Sequence, residues 1–382
     1  MEKVFSGDVD EILKSLEDGL RDYMDSDSYK AYLRAVSRFH DYSTNNVLLI
    51  TMQKPDATLV AGYSTWKNAF HRYVKKGEKA IKIIAPMPAV VEKEQERTDE
   101  YGNVSIEKVM VTVPRFRAVN VFDISQTDGE PLPSIDPREL SADVGDYSCF
   151  LHALERSSRV PVRYIDIDGG AKGYYHAIQD RIFVQKGMSQ AQTVKTLVHE
   201  MAHSYLHGRD GGGALTPQKT KEVEAESIAF SVCTHFGIDT SEYTFPYVSA
   251  WSNESDLKTL KSSMNTIRDT ASMLIHRIEE NYQIMTRENG AEKLAEDLIA
   301  FMKNYDFYQL NSCADDPHQT TEQIKEQLIA GDTRAIQNNV REYMRDETDP
   351  DARNVMADLI DRVKEFEPEA LPPEKKERGQ ER

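Results

Sequence analysis

Apolar side chains recur at helical spacing over residues 8–53. Leu13, Leu16, Leu20 and Tyr23 form one run; Tyr32, Leu33, Val36, Phe39 and Val47 to Ile50 form a second. This pattern predicts helices, with a break near Ser43-Thr44-Asn45. Pro55-Asp56 then marks a turn. A short strand is expected at 59–61 and a short helix at 63–73. Lys75-Lys76-Gly77-Glu78 reads as a hairpin-type turn. The alternation Ile81, Lys82, Ile83 is strand-like. Residues 87–114 read as a strand, a charged loop around Gly102-Asn103 and a return strand at 106–113, with a last strand at 115–124.

Residues 125–145 are rich in Asp, Pro, Ser and Gly, and Pro131, Pro133 and Pro137 oppose regular structure, which places a domain boundary there. Beyond it a helix at 147–157 and a strand at 160–167 are expected. Strands at 173–178 and 181–184 are joined at Gln179-Asp180. A long helix follows over 190–207, opened by a capping box at Ser189 and Gln192 and stopped at Gly208. A further helix covers 222–236, one long helix 255–285, and several shorter helices 291–366. The stretch 367–382 is charged, contains proline and reads as disordered.

The chain has 382 residues and a formal net charge of −17. An acidic balance of this size disfavours a protein that coats nucleic acid with its whole surface, but leaves room for a local basic patch. Cys149, Cys233 and Cys313 are odd in number and far apart, so neither a disulfide framework nor a cysteine-rich metal site is suggested. The N-terminal residues carry no apolar signal core, and no apolar stretch approaches the ~20 residues of a membrane span. The expected location is cytoplasmic, with no membrane partner.

The candidate chemistry centres on Leu197-Val198-His199-Glu200-Met201-Ala202-His203, an H-E-x-x-H motif. Residues i and i+4 share a helix face, so both imidazoles can bind one ion. Glu200 lies beside them, offset round the helix. It is the expected general base, accepting a proton from a water whose pKa a bound zinc ion lowers toward ~7. The opposite face of this helix, Val194, Leu197, Val198, Met201 and Tyr205, is apolar and predicted to be buried. His207 reads as a helix C-terminal cation rather than a ligand. The extended pattern H-E-x-x-H-x-x-G-x-x-H fails, because Leu206 and Arg209 occupy its last two positions. The third ligand is therefore sought on the next helix, in Glu222-Val223-Glu224-Ala225-Glu226. Glu224 is the first candidate, because the small Ala225 beside it allows close helix approach; Glu226 is second and Glu222 third. Together with His199 and His203 it would make a His2Glu site with one position left open. His235, Tyr205 and Tyr175 are candidates for stabilising an oxyanion.

A second feature stands out against the acidic background. Between Tyr63 and Lys82 lie Lys67, Arg72, Lys75, Lys76, Lys79 and Lys82, with Glu78 as the single acid. Tyr63, Trp66, Phe70, His71 and Tyr73 are interleaved with them. Aromatic rings among cations are how single-stranded nucleic acid is held without reading its sequence.

These residues resemble a known family. Asn46 to Ile50, Gln53, Pro55, Ala57-Thr58, Val60-Ala61-Gly62, Trp66 and Val74 to Lys79 look like the N-terminal single-stranded-DNA-binding domain of ArdC-like antirestriction proteins, with Phe122 to Thr127 as its closing segment. His199 to His203, Glu222 to Phe230 and Phe236-Gly237-Ile238 are similar to the zincin-like metallopeptidase domain that follows it. The resemblance spans about residues 10–255. It implies carriage on mobile elements, non-sequence-specific DNA binding and protection of incoming DNA from restriction. Trp66, Lys75, Lys76 and Lys79 fall on the DNA-binding block, to which the basic stretch adds Lys67 and Arg72 as DNA-binding candidates, and His199, Glu200, His203 and Glu224 fall on the metal motif. The expected fold is α+β: an N-terminal α+β DNA-binding domain (1–127), a linker (128–145), a zincin-like metallopeptidase domain of the gluzincin type (146–254), a C-terminal helical extension (255–366) and a disordered tail (367–382). The expected function is an antirestriction-type protein that binds single-stranded DNA and hydrolyses a protein substrate at a zinc site. The alternative is a non-catalytic DNA-shielding protein in which the zinc is structural.

Overall fold

The computed structural model describes residues 9–20, 24–98, 104–132, 144–208, 216–240, 245, 248–304 and 320–368. The chain divides into two compact units, 1–279 and 280–382. The Gly102-Asn103 loop, most of the 128–145 segment and residues 369–382 of the expected tail lie outside the described residues.

The first unit opens with α1 (Val9–Gly19), α2 (Ser26–Arg38) and α3 (Thr44–Gln53). The break expected near Ser43 is a capped helix start, since the Ser43 side chain accepts from the Asn46 amide. The helical periodicity has its counterpart in a core of Ile12, Leu16, Leu20, Tyr32, Leu33, Val36 and Leu49.

The chain continues through β1 (Val60–Gly62), α4 (Tyr63–Asn68), β2 (Arg72–Val74), β3 (Ile81–Pro86), β4 (Ala89–Thr98), β5 (Val104–Val113), β6 (Phe116–Asp123) and β7 (Thr127–Gly129). β6 is the centre of a three-stranded antiparallel sheet, flanked by β1 and β3. Two amide side chains from α3 close the outer edge of β3. Asn46 Nδ2 donates to the Ile84 carbonyl and its Oδ1 accepts from the Ile84 amide, both at 2.9 Å; Gln53 does the same to Lys82. The edge groups of a strand that would otherwise face a neighbour are thereby satisfied.

Two expectations are corrected here. Lys75 to Glu78 does form a turn, with Gly77 at φ 91°, but it joins strands of different sheets. β2 pairs with β7 and β3 with β6, so no hairpin forms. For the same reason the first residues of the expected linker, 128–129, belong to a strand. Among the described residues β4 and β5 pair only with each other, in register from Ala89–Val113 to Thr98–Val104. This arm leaves Val90, Ile106 and Met110 more than half exposed.

Next come α5 (Val144–Ser157), β8 (Val162–Ile165), β9 (Gly173–His176), β10 (Arg181–Gln185), α6 (Gln190–His207), α7 (Gln218–His235), α8 (Val248–Glu254) and α9 (Leu257–Asn304). β10 lies between β8, which it meets parallel, and β9, which it meets antiparallel, so β9 is an edge strand. α6 packs against β9, β10 and α7. Val194, Leu197, Val198 and Met201 supply its buried face. The segments expected as separate domains, 1–127 and 146–254, lie within one unit. α2 packs on α7, where the buried Tyr29 hydroxyl lies 2.8 Å from Ser227 Oγ.

The second unit comprises the end of α9 with α10 (Thr321–Ala330), α11 (Arg334–Asp346) and α12 (Pro350–Lys364). Leu294, Leu298, Ile324, Leu328, Val340, Met356, Leu359 and Val363 form its core. α9 is a single helix of 48 residues where a break before 291 was expected.

Candidate metal centre and basic face

α6 begins at Ser189, whose hydroxyl accepts from the Gln192 amide, and ends at His207 before Gly208. The reciprocal half of the expected capping box is absent: Gln192 turns its side chain to Lys172 and Thr196 instead. The helix holds His199 and His203 one turn apart, with their Nε2 atoms 3.1 Å from each other. A carboxylate from α7 meets both. Glu222 Oε2 lies 3.6 Å from each Nε2. These three atoms have the spacing of a tetrahedral ion's first shell, whose edges are about 3.3 Å when the ion–nitrogen distance is about 2.0 Å. The donor set of two imidazoles and one carboxylate therefore fits a divalent ion.

The carboxylate that meets both imidazoles is that of Glu222, not that of the expected Glu224. Two residues further along α7 is about 200° around the helix, so Glu224 faces away from the pair. It is buried at 6% exposure, 3.9 Å from His207. Burial pushes its carboxyl upward, against a hydrogen bond with Ser263. Glu226 lies one turn after Glu222 and lines the cleft beside His199 and Glu200. His207 is not the expected helix-end cation. Its side chain is 7% exposed, and burial together with the charge of His203 brings its pKa down to about 4.

The electrostatics of the trio follow from its contacts. The imidazoles of His199 and His203 beside it hold Glu222 well below the usual carboxylate range. Burial disfavours a charged His199, but Glu222, Glu200 and Glu226 outweigh it and raise the pKa. Burial likewise raises Glu200, opposed by the two imidazoles and by a hydrogen bond from the Tyr175 backbone amide on β9. Two supporting groups were not singled out from the sequence. Gln218, one turn before Glu222, donates its amide to Glu222 Oε1, and Tyr175 acts through its backbone rather than its ring. The Gln218 spacing of i−4 was visible, but its use depended on knowing that Glu222 is the carboxylate facing the two imidazoles.

A cleft of about 480 Å³ opens over Glu200 and His199, lined also by Lys172, Gly173, Gln192 and Thr196. Gly173 has a steric cause. A Cβ there would stand 2.5 Å from Thr196 Cγ2 and 3.0 Å from the Phe183 carbonyl, so only glycine lets β9 lie this close to α6. The three candidates for an oxyanion partner are committed elsewhere. Tyr175 Oη donates to Asp180 at 2.6 Å, Tyr205 Oη donates to the Ser157 carbonyl at 2.9 Å, and His235 lies between the Ser37 carbonyl and Glu279.

The basic stretch divides in a way its composition did not reveal. Trp66 is completely buried, its indole N–H donates to the Phe122 carbonyl at 2.8 Å, and its ring packs on Phe70. It is a core residue and offers no face to a base. Arg72 spends its guanidinium on Thr127, Gly129 and Glu130, fastening β2 to β7. Lys67, Lys75, Lys76 and Lys79 are exposed. The exposed rings are those of Tyr63 and Tyr73, at 56% and 57% exposure, and the imidazole of His71. Lys79 and Lys82 also line a cleft with Gln53, Asn120 and Gln126. Among the described residues no helix is long and apolar enough to cross a membrane.

Residues 3–122 match the family model for the N-terminal domain of anti-restriction factor ArdC. An uncharacterized Bacillus anthracis protein, pXO2-81, is 31% identical over 290 residues, covering 66% of this chain and 48% of the relative. Two crystal structures of the antirestriction ArdC protein from the R388 plasmid are similar. The metal-free form has a TM-score of 0.41 at 21% identity, covering 63% of this chain and 85% of the other. The Mn(II)-bound form has a TM-score of 0.44 at 18% identity, covering 72% and 98%. The chain thus spans about half the length of the curated relative it matches, and its N-terminal third is similar to the N-terminal domain of anti-restriction factor ArdC.

Proposed function

We infer that this protein is an antirestriction-type factor that holds single-stranded DNA on the exposed lysines of residues 67–79 and carries a metal-dependent peptidase site. The observation behind the second half is the convergence of His199 Nε2, His203 Nε2 and Glu222 Oε2 beside Glu200 in an open cleft. Two imidazoles and a carboxylate suit zinc, the ion we assign to the site. A divalent ion bound there supplies Lewis acidity, lowering the pKa of water and polarising a carbonyl. This chain's own part is to hold and move the proton. Glu200, oriented by the Tyr175 amide, is the base, and its raised pKa suits it to return the proton to a leaving amine. β9 is the outer strand of its sheet among the described residues, and an extended peptide could lie along it. Similarity of residues 3–122 to the ArdC N-terminal domain supports the DNA-binding half.

The deciding comparison is wild type against Glu200→Gln, each checked for bound metal, in a restriction-protection assay on transferred DNA. Retained metal with lost protection supports hydrolysis as part of the function. Retained metal with full protection overturns the catalytic reading and leaves a DNA shield with a structural ion.

A further inference from the structure

The first unit holds a second group of histidines and carboxylates, remote in sequence from the H-E-x-x-H helix. α2 ends at Arg38, so His40 and Asp41 leave it in the turn before α3. His276 stands opposite, on α9. Its Nε2 is 2.7 Å from Asp41 Oδ1, while His40 Nε2 is 4.0 Å from Asp41 Oδ2. The His40 and His276 rings are 5.1 Å apart, and one donor atom from each of the three residues lies within 4.8 Å of the others.

The surroundings prepare these atoms for a ligand. His40 is 8% exposed and its Nδ1 lies 3.4 Å from the Ser37 carbonyl. A carbonyl only accepts, so the proton belongs on Nδ1 and the lone pair on Nε2, the atom facing Asp41. His276 Nδ1 lies 3.9 Å from Glu279 Oε2, one turn along α9. Glu279 Oε1 is in turn fixed at 2.9 Å by His235 Nε2, and His235 Nδ1 is 2.8 Å from the same Ser37 carbonyl. His235 therefore has both ring nitrogens engaged and belongs to the supporting layer. An imidazole whose far nitrogen meets a carbonyl is the usual arrangement around a metal ligand, and His40 has it; His276 Nδ1 is beyond hydrogen-bond distance of Glu279.

We propose that His40 Nε2, the Asp41 carboxylate and His276 Nε2 form a second divalent-metal site that fastens the α2–α3 turn to α9. The mixed nitrogen and oxygen donor set suits zinc. Asp41 and His276, at 68% and 53% side-chain exposure, leave the site open to ions from solution. The ligands are 235 positions apart, so an ion there would close a long loop. This site stands independently of the peptidase reading, because it shares no ligand with His199, His203 and Glu222.

The test uses the full chain, stripped with a chelator and titrated calorimetrically with zinc. Wild type is expected to bind two equivalents and the His199→Ala/His203→Ala variant one. Adding His276→Ala or, separately, Asp41→Asn to that double variant is expected to remove the remaining equivalent. Both added positions are at the surface, and metal-free melting curves matching the double variant's verify the fold. The proposal is overturned if the folded double variant binds no zinc, or if its remaining equivalent survives both additions.

Discussion

At the scale of single residues, the question is which carboxylate completes the metal trio. Glu222→Gln is expected to weaken zinc binding about 100-fold or more, since losing even an outer-layer partner costs about 10–100-fold. Glu224→Gln, on the other side of α7, is expected to leave it close to wild type, and competition with a chromogenic chelator measures both. Equal losses in the two variants would sink the assignment. The same site has a pH signature. His199 titrates above the ordinary histidine value of 6.5, and its protonated ring has no lone pair for an ion. Glu222, held low, stays ionised throughout. Zinc affinity should therefore fall as pH is lowered from about 8 to about 6. The histidine spacing was legible in the sequence because helical periodicity alone puts i and i+4 on one face. The carboxylate was not legible: three glutamates alternate along 222–226, and which one faces α6 depends on the rotational phase of α7, set by packing. Trp66 misled for a related reason, since composition places an aromatic ring among lysines without saying on which side of the backbone it lies.

At the scale of elements, the ends of α6 were readable to the residue because a serine cap, an apolar stripe and a glycine stop all agreed. α9 was not: its apolar pattern reads as ending at 285, whereas the helix runs on through Gly290, where a Cβ would meet Phe366 Cζ at an ordinary 3.6 Å. Gly290→Ala is thus expected to stabilise the second unit by about 0.5–1 kcal/mol, read as a higher denaturation midpoint. Gly173→Ala should do the reverse. Its methyl would collide with Thr196 and the Phe183 carbonyl, costing about 1–3 kcal/mol and lifting β9 from α6. Because the Tyr175 amide that orients Glu200 is on β9, the variant should lose any hydrolytic activity by more than its melting temperature alone explains. The strands themselves were legible from alternation, whereas their partners were not: turn chemistry at Lys75 to Glu78 cannot distinguish a hairpin from a crossing between sheets.

At the scale of the whole molecule, a net charge of −17 repels nucleic acid at long range, so the proposed binding rests on the local basic face. If Lys67, Lys75, Lys76 and Lys79 each meet a phosphate, the log–log slope of single-stranded DNA affinity against salt should be about −3. Lys75→Glu/Lys76→Glu should flatten that slope by about 1.5. A slope unchanged by the double substitution would place the DNA elsewhere. The burial of the two tryptophans has a separate, optical consequence. The chain has only Trp66 and Trp251, both within residues 1–279, and Trp251 donates its indole N–H to Thr220, two positions before Glu222. Their shared emission therefore reports the first unit alone. A red shift will mark its unfolding, while melting of residues 280–382 will pass unseen by tryptophan emission and register in the far-ultraviolet helical signal. Two instruments on one sample thus resolve the two units without a cut in the chain.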